Sequence, residues 1–232
     1  MVVLADFHDG DPDPVLTSVR ALKPDAILVT GDVVHDADRF SGGLALLRAL
    51  ITVAPVFCSL GNHEYRVKDI EARIRKTGVR LLDNTYTTLY GFVIGGLSSG
   101  CRGKKQGRLK KTPAPDDSFL SDFCAEKGTH ILLCHHPEYY LPYLQDRKIE
   151  LVLAGHAHGG QWRFLGQGCF APGQGILPRF TAGLYRGRRR ARRDTSLRAD
   201  APLLAVSRGM GNEVAIPRIG NPAEILCIDF VK

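Results

Sequence analysis

The sequence predicts an α/β fold in which two β-sheets pack face to face and carry helices on their outer surfaces. Three observations lead there. The first sixty residues alternate strand and helix: strand 2–5, helix near 14–22, strand 26–30, helix near 38–53, strand 55–59. That βαβαβ order implies parallel strands joined by crossover helices. From Val79 onward the runs VRLL, TYTTLY and FVIGGL are short and β-rich, with Gly91 as the turn between the last two. Strands return at the end, PLLAVS at 202–207 and EILCIDF at 224–230.

The intervening elements follow in order. A helix near 66–76 starts after Glu64, whose charge suits a helix N-terminus. The stretch 102–115 combines Gly, Lys and Pro and reads as an exposed loop. A helix near 117–126, a strand at 130–134, a short helix near 138–145 and a strand at 150–154 come next. Residues 166–201 are rich in Gly, Pro and Arg and read as loop with short pairings. No linker divides the chain, so residues 1–232 are expected to form one domain, with basic loops near 102–115 and 186–200.

At 232 residues and 44% hydrophobic, the chain can bury one substantial core. The formal charge of +7 is uneven: Arg102 to Lys111 holds six basic residues and Arg186 to Arg193 six arginines. Those twelve exceed the total, which leaves the rest of the chain at −5. Six cysteines, at 58, 101, 124, 134, 169 and 227, form no CxxC pair, which argues against a thiolate zinc site and against disulfides. Cys58, Cys134 and Cys227 lie in apolar runs and read as small buried side chains. No run approaches the ~18 apolar residues of a membrane span, and no signal peptide is expected with a ligand-type residue already at position 6. The expected location is cytoplasmic, with peripheral contact at the inner face of the membrane as the alternative.

The chemistry lies at the strand ends. Apolar runs lead into Asp6-Phe7-His8, Gly31-Asp32, Gly61-Asn62-His63-Glu64, His135-His136 and Gly155-His156-Ala157-His158. In open α/β sheets that edge is where ligands bind, and glycine allows a sharp turn or a close approach. Asp6 and His8, two apart in extended chain, point to one side, as do His156 and His158. With Asp32, Asn62 and His135 they make seven oxygen and nitrogen donors. Seven are too many for one tetrahedral zinc site. They suit two divalent ions ~3.5–4 Å apart with a bridging carboxylate, which clamp a phosphate and generate hydroxide as the in-line nucleophile. Imidazole with carboxylate favours manganese, with iron or zinc as alternatives. His63 follows Asn62, has no metal to bind in this scheme, and is the candidate general acid or charge stabiliser.

In that order the fragments resemble the calcineurin-like metallophosphoesterase family, over residues 2 to about 161. The tail VSRGMGNEVAIPRIGNPAEI also resembles a bacterial branch with membrane-associated phosphodiesterases and a UDP-diacylglucosamine pyrophosphatase. The resemblance implies a four-layer α-β-β-α sandwich with two mixed β-sheets and a two-metal site. Carried over by position, one metal takes Asp6, His8, Asp32 and His158. The other takes Asp32, Asn62, His135 and His156, and His63 is the proton donor.

Other residues carry two readings. His136 contacts substrate or supports the site from behind. Gly159 and Gly160 offer backbone amides to a phosphate or simply make a tight turn. His35 reads as a solvated loop residue, and His130 as structural. Trp162, Tyr139, Tyr140 and Tyr143 line an apolar pocket or, for most of them, pack in the core. The arginines at 186–193 form a solvated loop, or hold anionic lipid headgroups or nucleic-acid phosphates; no aromatic residue is interleaved, which weakens single-strand binding. The expected reaction is hydrolysis of a phosphodiester or pyrophosphate in a phosphorylated small-molecule, lipid-linked or nucleotide-linked substrate. A nuclease is the alternative within enzymes, and a catalytically silent metal-binding scaffold the alternative outside them.

Overall fold

A computed structural model describes residues 1–104, 110–187, 189–190, 201–212 and 216–230. The strands are β1 (Val2–Leu4), β2 (Ile27–Val29), β3 (Val56–Cys58), β4 (Arg80–Leu81), β5 (Thr85–Leu89), β6 (Phe92–Leu97), β7 (Thr129–Cys134) and β8 (Leu151–Ala154). Beyond these lie β9 (Arg163–Phe164), β10 (Gln167–Gly168), β11 (Phe170–Ala171), β12 (Gly175–Ile176), β13 (Gly183–Arg186), β14 (Arg189–Arg190), β15 (Leu203–Val206) and β16 (Leu226–Cys227). The α-helices are α1 (Pro12–Leu22), α2 (Ser41–Leu50), α3 (Ile70–Arg75) and α4 (Leu120–Ala125).

One sheet has the order β16-β1-β2-β3-β4 and the other β14-β13-β15-β8-β7-β6-β5. Both are mixed. The strands β1 to β4 are parallel and β16 is antiparallel to β1. In the second sheet β6, β7, β8 and β15 are parallel, with antiparallel partners at both ends.

Alternation along the strands sorts the core into the three interfaces of a four-layer sandwich. Val2, Leu4, Ile27 and Val29 face α1, α2 and α3 through Val19, Leu47 and Ile74. Their neighbours Val3 and Leu28 point the other way, onto Ile94, Ile131 and Leu153 of the second sheet. The outer face of that sheet, with Val93, Leu132 and Val152, packs under Leu120, Phe123 and Tyr140. A one-residue shift in any strand would exchange the side chains presented to these interfaces.

Several elements are shorter than the sequence pattern predicts. The helix expected near 66–76 is a 3₁₀ turn that opens at Glu64 (Glu64–Arg66) followed by α3, and Glu64 is buried. The short helix near 138–145 is a 3₁₀ turn at Pro137–Tyr139 running into a π-helical turn at Tyr140–Leu144. The last strand is only Leu226–Cys227; it covers the outer edge of β1, and as an edge position Cys227 is exposed, not buried. All six cysteines are free. Of the arginine run, Arg186 closes β13 and Arg189–Arg190 form β14, so part of it is paired strand; 191–200 lies outside the described residues, as do 105–109 of the other basic stretch. Among the described residues no helix is long and apolar enough to cross a membrane.

Candidate metal centre

The carboxyl ends of β1, β2, β3, β7 and β8 converge, and each releases one of the five motifs. Asp6, His8, Asp32, Asn62, His63, His135, His156 and His158 are all buried there. Five of them, Asp6, His8, Asp32, His156 and His158, hold left-handed backbone, with φ between 45° and 63°. Non-glycine residues rarely adopt it, and such strain persists at functional sites where the surrounding fold imposes it.

Two triads form. Asp6, His8 and His158 make one, Asp32, His135 and His156 the other, each with ligand atoms within 4.8 Å of one another. Nε2 of His8 meets Nε2 of His158 at 3.1 Å, and Asp6 Oδ1 lies 3.9 Å from His158 Nε2. Asp32 Oδ2 stands 3.0 Å from His135 Nε2, 4.0 Å from His8 Nε2 and 3.9 Å from His63 Nε2. Asp32 therefore sits between the triads. Asp6 and His135 are 3.9 Å apart. Each triad holds three of the four residues in one of the ligand sets that the resemblance implies.

The donor chemistry suits cations. Burial holds the His8 and His156 imidazoles well below their usual pKa, helped by His158 and His136 respectively, so both are neutral with lone pairs to give. Asp32 is ionised: burial opposes its charge, but His135 and His63 draw its carboxyl well below the usual range. Burial also works against a charge on His135, yet the Asp32 carboxylate raises its pKa to about 9. Asn62 Oδ1 is buried without a hydrogen-bond partner, an orphan that a cation would satisfy.

Backbone packing fixes the carboxylates. A Cβ on Gly61 would lie 2.2 Å from Asp32 Oδ1, and one on Gly155 would lie 2.6 Å from Asp6 Oδ2. Glycine at these strand exits thus makes room for the carboxylates themselves. The His63 amide donates to Asp32 Oδ1 at 2.8 Å, and the His156 amide to both Asp6 oxygens at 3.0 Å.

Some of the supporting residues were not assigned such a role from sequence. Glu64, fully buried, accepts from the amides of Asp32 (2.9 Å), Gly61 (2.7 Å) and Val33 (2.7 Å), and so ties the β2 exit to the β3 exit. Burial and the nearby Asp32 charge raise its pKa. His35 is buried, not solvated, and its carbonyl lies 2.5 Å from His63 Nδ1. A carbonyl only accepts, so His63 Nδ1 carries a proton and Nε2 faces the site. Arg218 contacts His158 Nδ1 at 3.2 Å and is anchored on the carbonyls of Arg208 and Gly211.

His136 lies behind His156, with ring centroids 4.2 Å apart, and is bonded to Ser99 Oγ at 2.7 Å. Its Nδ1 is 3.3 Å from Glu138. The Gly160 amide is taken by the Ala157 carbonyl, and a Cβ on Gly159 would collide with Asn221. Tyr139 and Tyr140 are core residues, Tyr143 is half-buried, and Trp162 is exposed rather than packed inside.

A sequence model described as calcineurin-like phosphoesterase matches residues 1–160. The chain belongs to the calcineurin-like phosphoesterase family. Several relatives carry metallophosphoesterase or phosphodiesterase in their names. The chain is 31% identical over 173 residues to an uncharacterized metallophosphoesterase of Campylobacter jejuni, covering 69% of this chain and 44% of that one. It is 29% identical over 176 residues to the phosphodiesterase YaeI of Escherichia coli, covering 70% and 62%. A Danio rerio transmembrane protein with a metallophosphoesterase domain is 25% identical over 206 residues, covering 80% and 45%. The chain spans about half the length of the first of these curated relatives. The solved sulfate thiohydrolase SoxB of Thermus thermophilus shares the fold, with a TM-score of 0.50, 13% identity, and coverage of 88% of this chain and 38% of that one.

Proposed function

We propose that this calcineurin-like phosphoesterase is a two-metal hydrolase of phosphodiesters or pyrophosphates, acting on a lipid- or nucleotide-linked substrate. The observation that carries it is Asp32, which belongs to one triad and lies 4.0 Å from His8 of the other. Asp6, His8, Asp32 and His158 would hold one ion; Asp32, Asn62, His135 and His156 would hold the other. Bound there, two divalent cations neutralise phosphate charge and acidify water. Manganese, iron or zinc fits the donor set.

The chain's own residues do the rest. His63, oriented by the His35 carbonyl, presents Nε2 toward Asp32 and gives a proton to the departing alkoxide. Glu64 holds Asp32 and Asn62 in place through the strand-exit amides. His136 supports His156 from behind rather than touching substrate, which is the reading its complete burial favours.

The experiment is a substrate panel on metal-loaded protein: bis(4-nitrophenyl) phosphate, 4-nitrophenyl phosphate, a nucleoside diphosphate ester and single-stranded DNA. Turnover of the diester and the pyrophosphate well above the monoester supports the proposal. Turnover confined to DNA makes the protein a nuclease, and no turnover of any phosphoester makes it a binding scaffold.

A further inference from the structure

Behind the metal centre a third carboxylate meets two imidazoles. Glu138 Oε1 lies 3.3 Å from His136 Nδ1 and 3.8 Å from His156 Nε2. One donor atom from each of the three residues falls within 4.8 Å of the other two. Around a tetrahedral zinc ion, with bonds of about 2.0–2.1 Å, ligand atoms stand about 3.3 Å apart. The His136 and His156 side chains are 0% and 4% exposed and that of Glu138 is 15%, so an ion would enter past Glu138.

Two of the buried atoms here have nothing to bond. His136 Nδ1 and Glu138 Oε2 are both without a hydrogen-bond partner, and the 3.3 Å approach between the two residues does not supply one. Buried polar atoms are seldom left so. A cation between them would satisfy the imidazole lone pair and the carboxylate together.

Neighbours hold each donor in place. Ser99 Oγ bonds His136 Nε2 at 2.7 Å, which leaves Nδ1 to face Glu138. The Thr112 hydroxyl donates to Glu138 Oε1. Gly173, at φ 75°, packs against the same carboxylate, and a Cβ there would collide with Oε1. Gly61 and Gly155 make room for Asp32 and Asp6 in the same way. Partners that orient a ligand from behind are part of a metal site.

We propose that His136, Glu138 and His156 form a zinc site that shares His156 with the two-ion centre. Two imidazoles and one carboxylate, with water as the fourth ligand, are a zinc set. The corner lacks the octahedron of oxygens that suits manganese or magnesium. His156 belongs to both groups. A neutral imidazole has one nitrogen lone pair to give, so His156 serves one cation at a time. Zinc beside Glu138 therefore draws His156 away from Asp32 and loosens the ion held there. That this slows hydrolysis rests on the function proposed above; the binding does not.

The test is anomalous diffraction at the zinc edge on crystals of the full chain, loaded with two zinc equivalents and then soaked in excess zinc. The excess should add a peak between His136 Nδ1, the Glu138 carboxylate and His156, with His156 bonded to it. No such peak, or a His156 still bonded to the ion beside Asp32, overturns the proposal. Glu138→Gln keeps the size of the side chain and removes its charge. At excess zinc this variant should hold one ion fewer per chain. The zinc concentration that halves bis(4-nitrophenyl) phosphate turnover should rise about tenfold or more. An unchanged ion count or unchanged zinc inhibition in the variant overturns the proposal, and the parent crystals decide it should the variant fail to fold. A chain that hydrolyses no phosphoester counts against the proposed function alone, because diffraction and ion counting need no catalysis.

Discussion

His8 and His158 stand 150 positions apart in the chain and meet Nε2 to Nε2 at 3.1 Å. Burial keeps His8 neutral, and beside the Asp6 and Asp32 carboxylates a cation can replace the proton that the two rings would otherwise share. The consequences of a shared cation can be measured.

His63 is placed to move a proton rather than to hold a metal. His63→Ala should leave the metal content unchanged, because Asp32 keeps its other partners. Turnover of esters with poor leaving groups should fall about 10²- to 10⁴-fold. Esters of 4-nitrophenol, whose leaving group needs no proton, should lose much less. Parallel kcat measurements on an alkyl and a nitrophenyl diester decide the matter, and equal losses on the two would remove His63 from proton donation.

Gly61→Ala deletes no chemical group, yet its new Cβ would lie 2.2 Å from Asp32 Oδ1. The carboxylate must swing away. The variant should fold, bind less metal per chain and lose activity in proportion, which metal analysis beside circular dichroism would show.

Glu64 satisfies the buried amides of Asp32, Gly61 and Val33. Glu64→Ala strands all three, and each orphaned donor costs about 1–3 kcal/mol. Urea unfolding should therefore show a loss of about 3 kcal/mol or more. Glu64→Asp, which keeps the charge on a shorter arm, should recover part of it.

Much of this was legible in the sequence, because strand order and ligand placement are local properties. Continuous apolar runs such as VVLA and LVLA marked strands covered on both faces, and the residue after each run had to emerge at the sheet edge. What escaped were the contacts between distant segments. Glu64 looked like a helix-start acid, since nothing local reveals that its carboxylate reaches back to the β2 exit. His35 looked solvated because its burial depends on the rings of His8 and His63. Arg218 lies 60 positions from His158, and β16 more than 220 from β1, so neither pairing leaves a periodic trace.

Metal removal should soften the fold, because seven buried donors then face one another without a counter-charge. A ligand that binds only the folded chain adds about 2.7 kcal/mol at a hundredfold excess over its Kd. Chelator should accordingly lower Tm by several degrees, and manganese should restore it. An unchanged Tm would mean that the pocket holds no cation tightly.

The most direct test of the central claim is a count of ions at the site, by anomalous diffraction on manganese-loaded crystals. Two peaks are predicted, one among Asp6, His8, Asp32 and His158, the other among Asp32, Asn62, His135 and His156, with Asp32 touching both. A single peak, or two peaks that Asp32 does not join, would contradict the account.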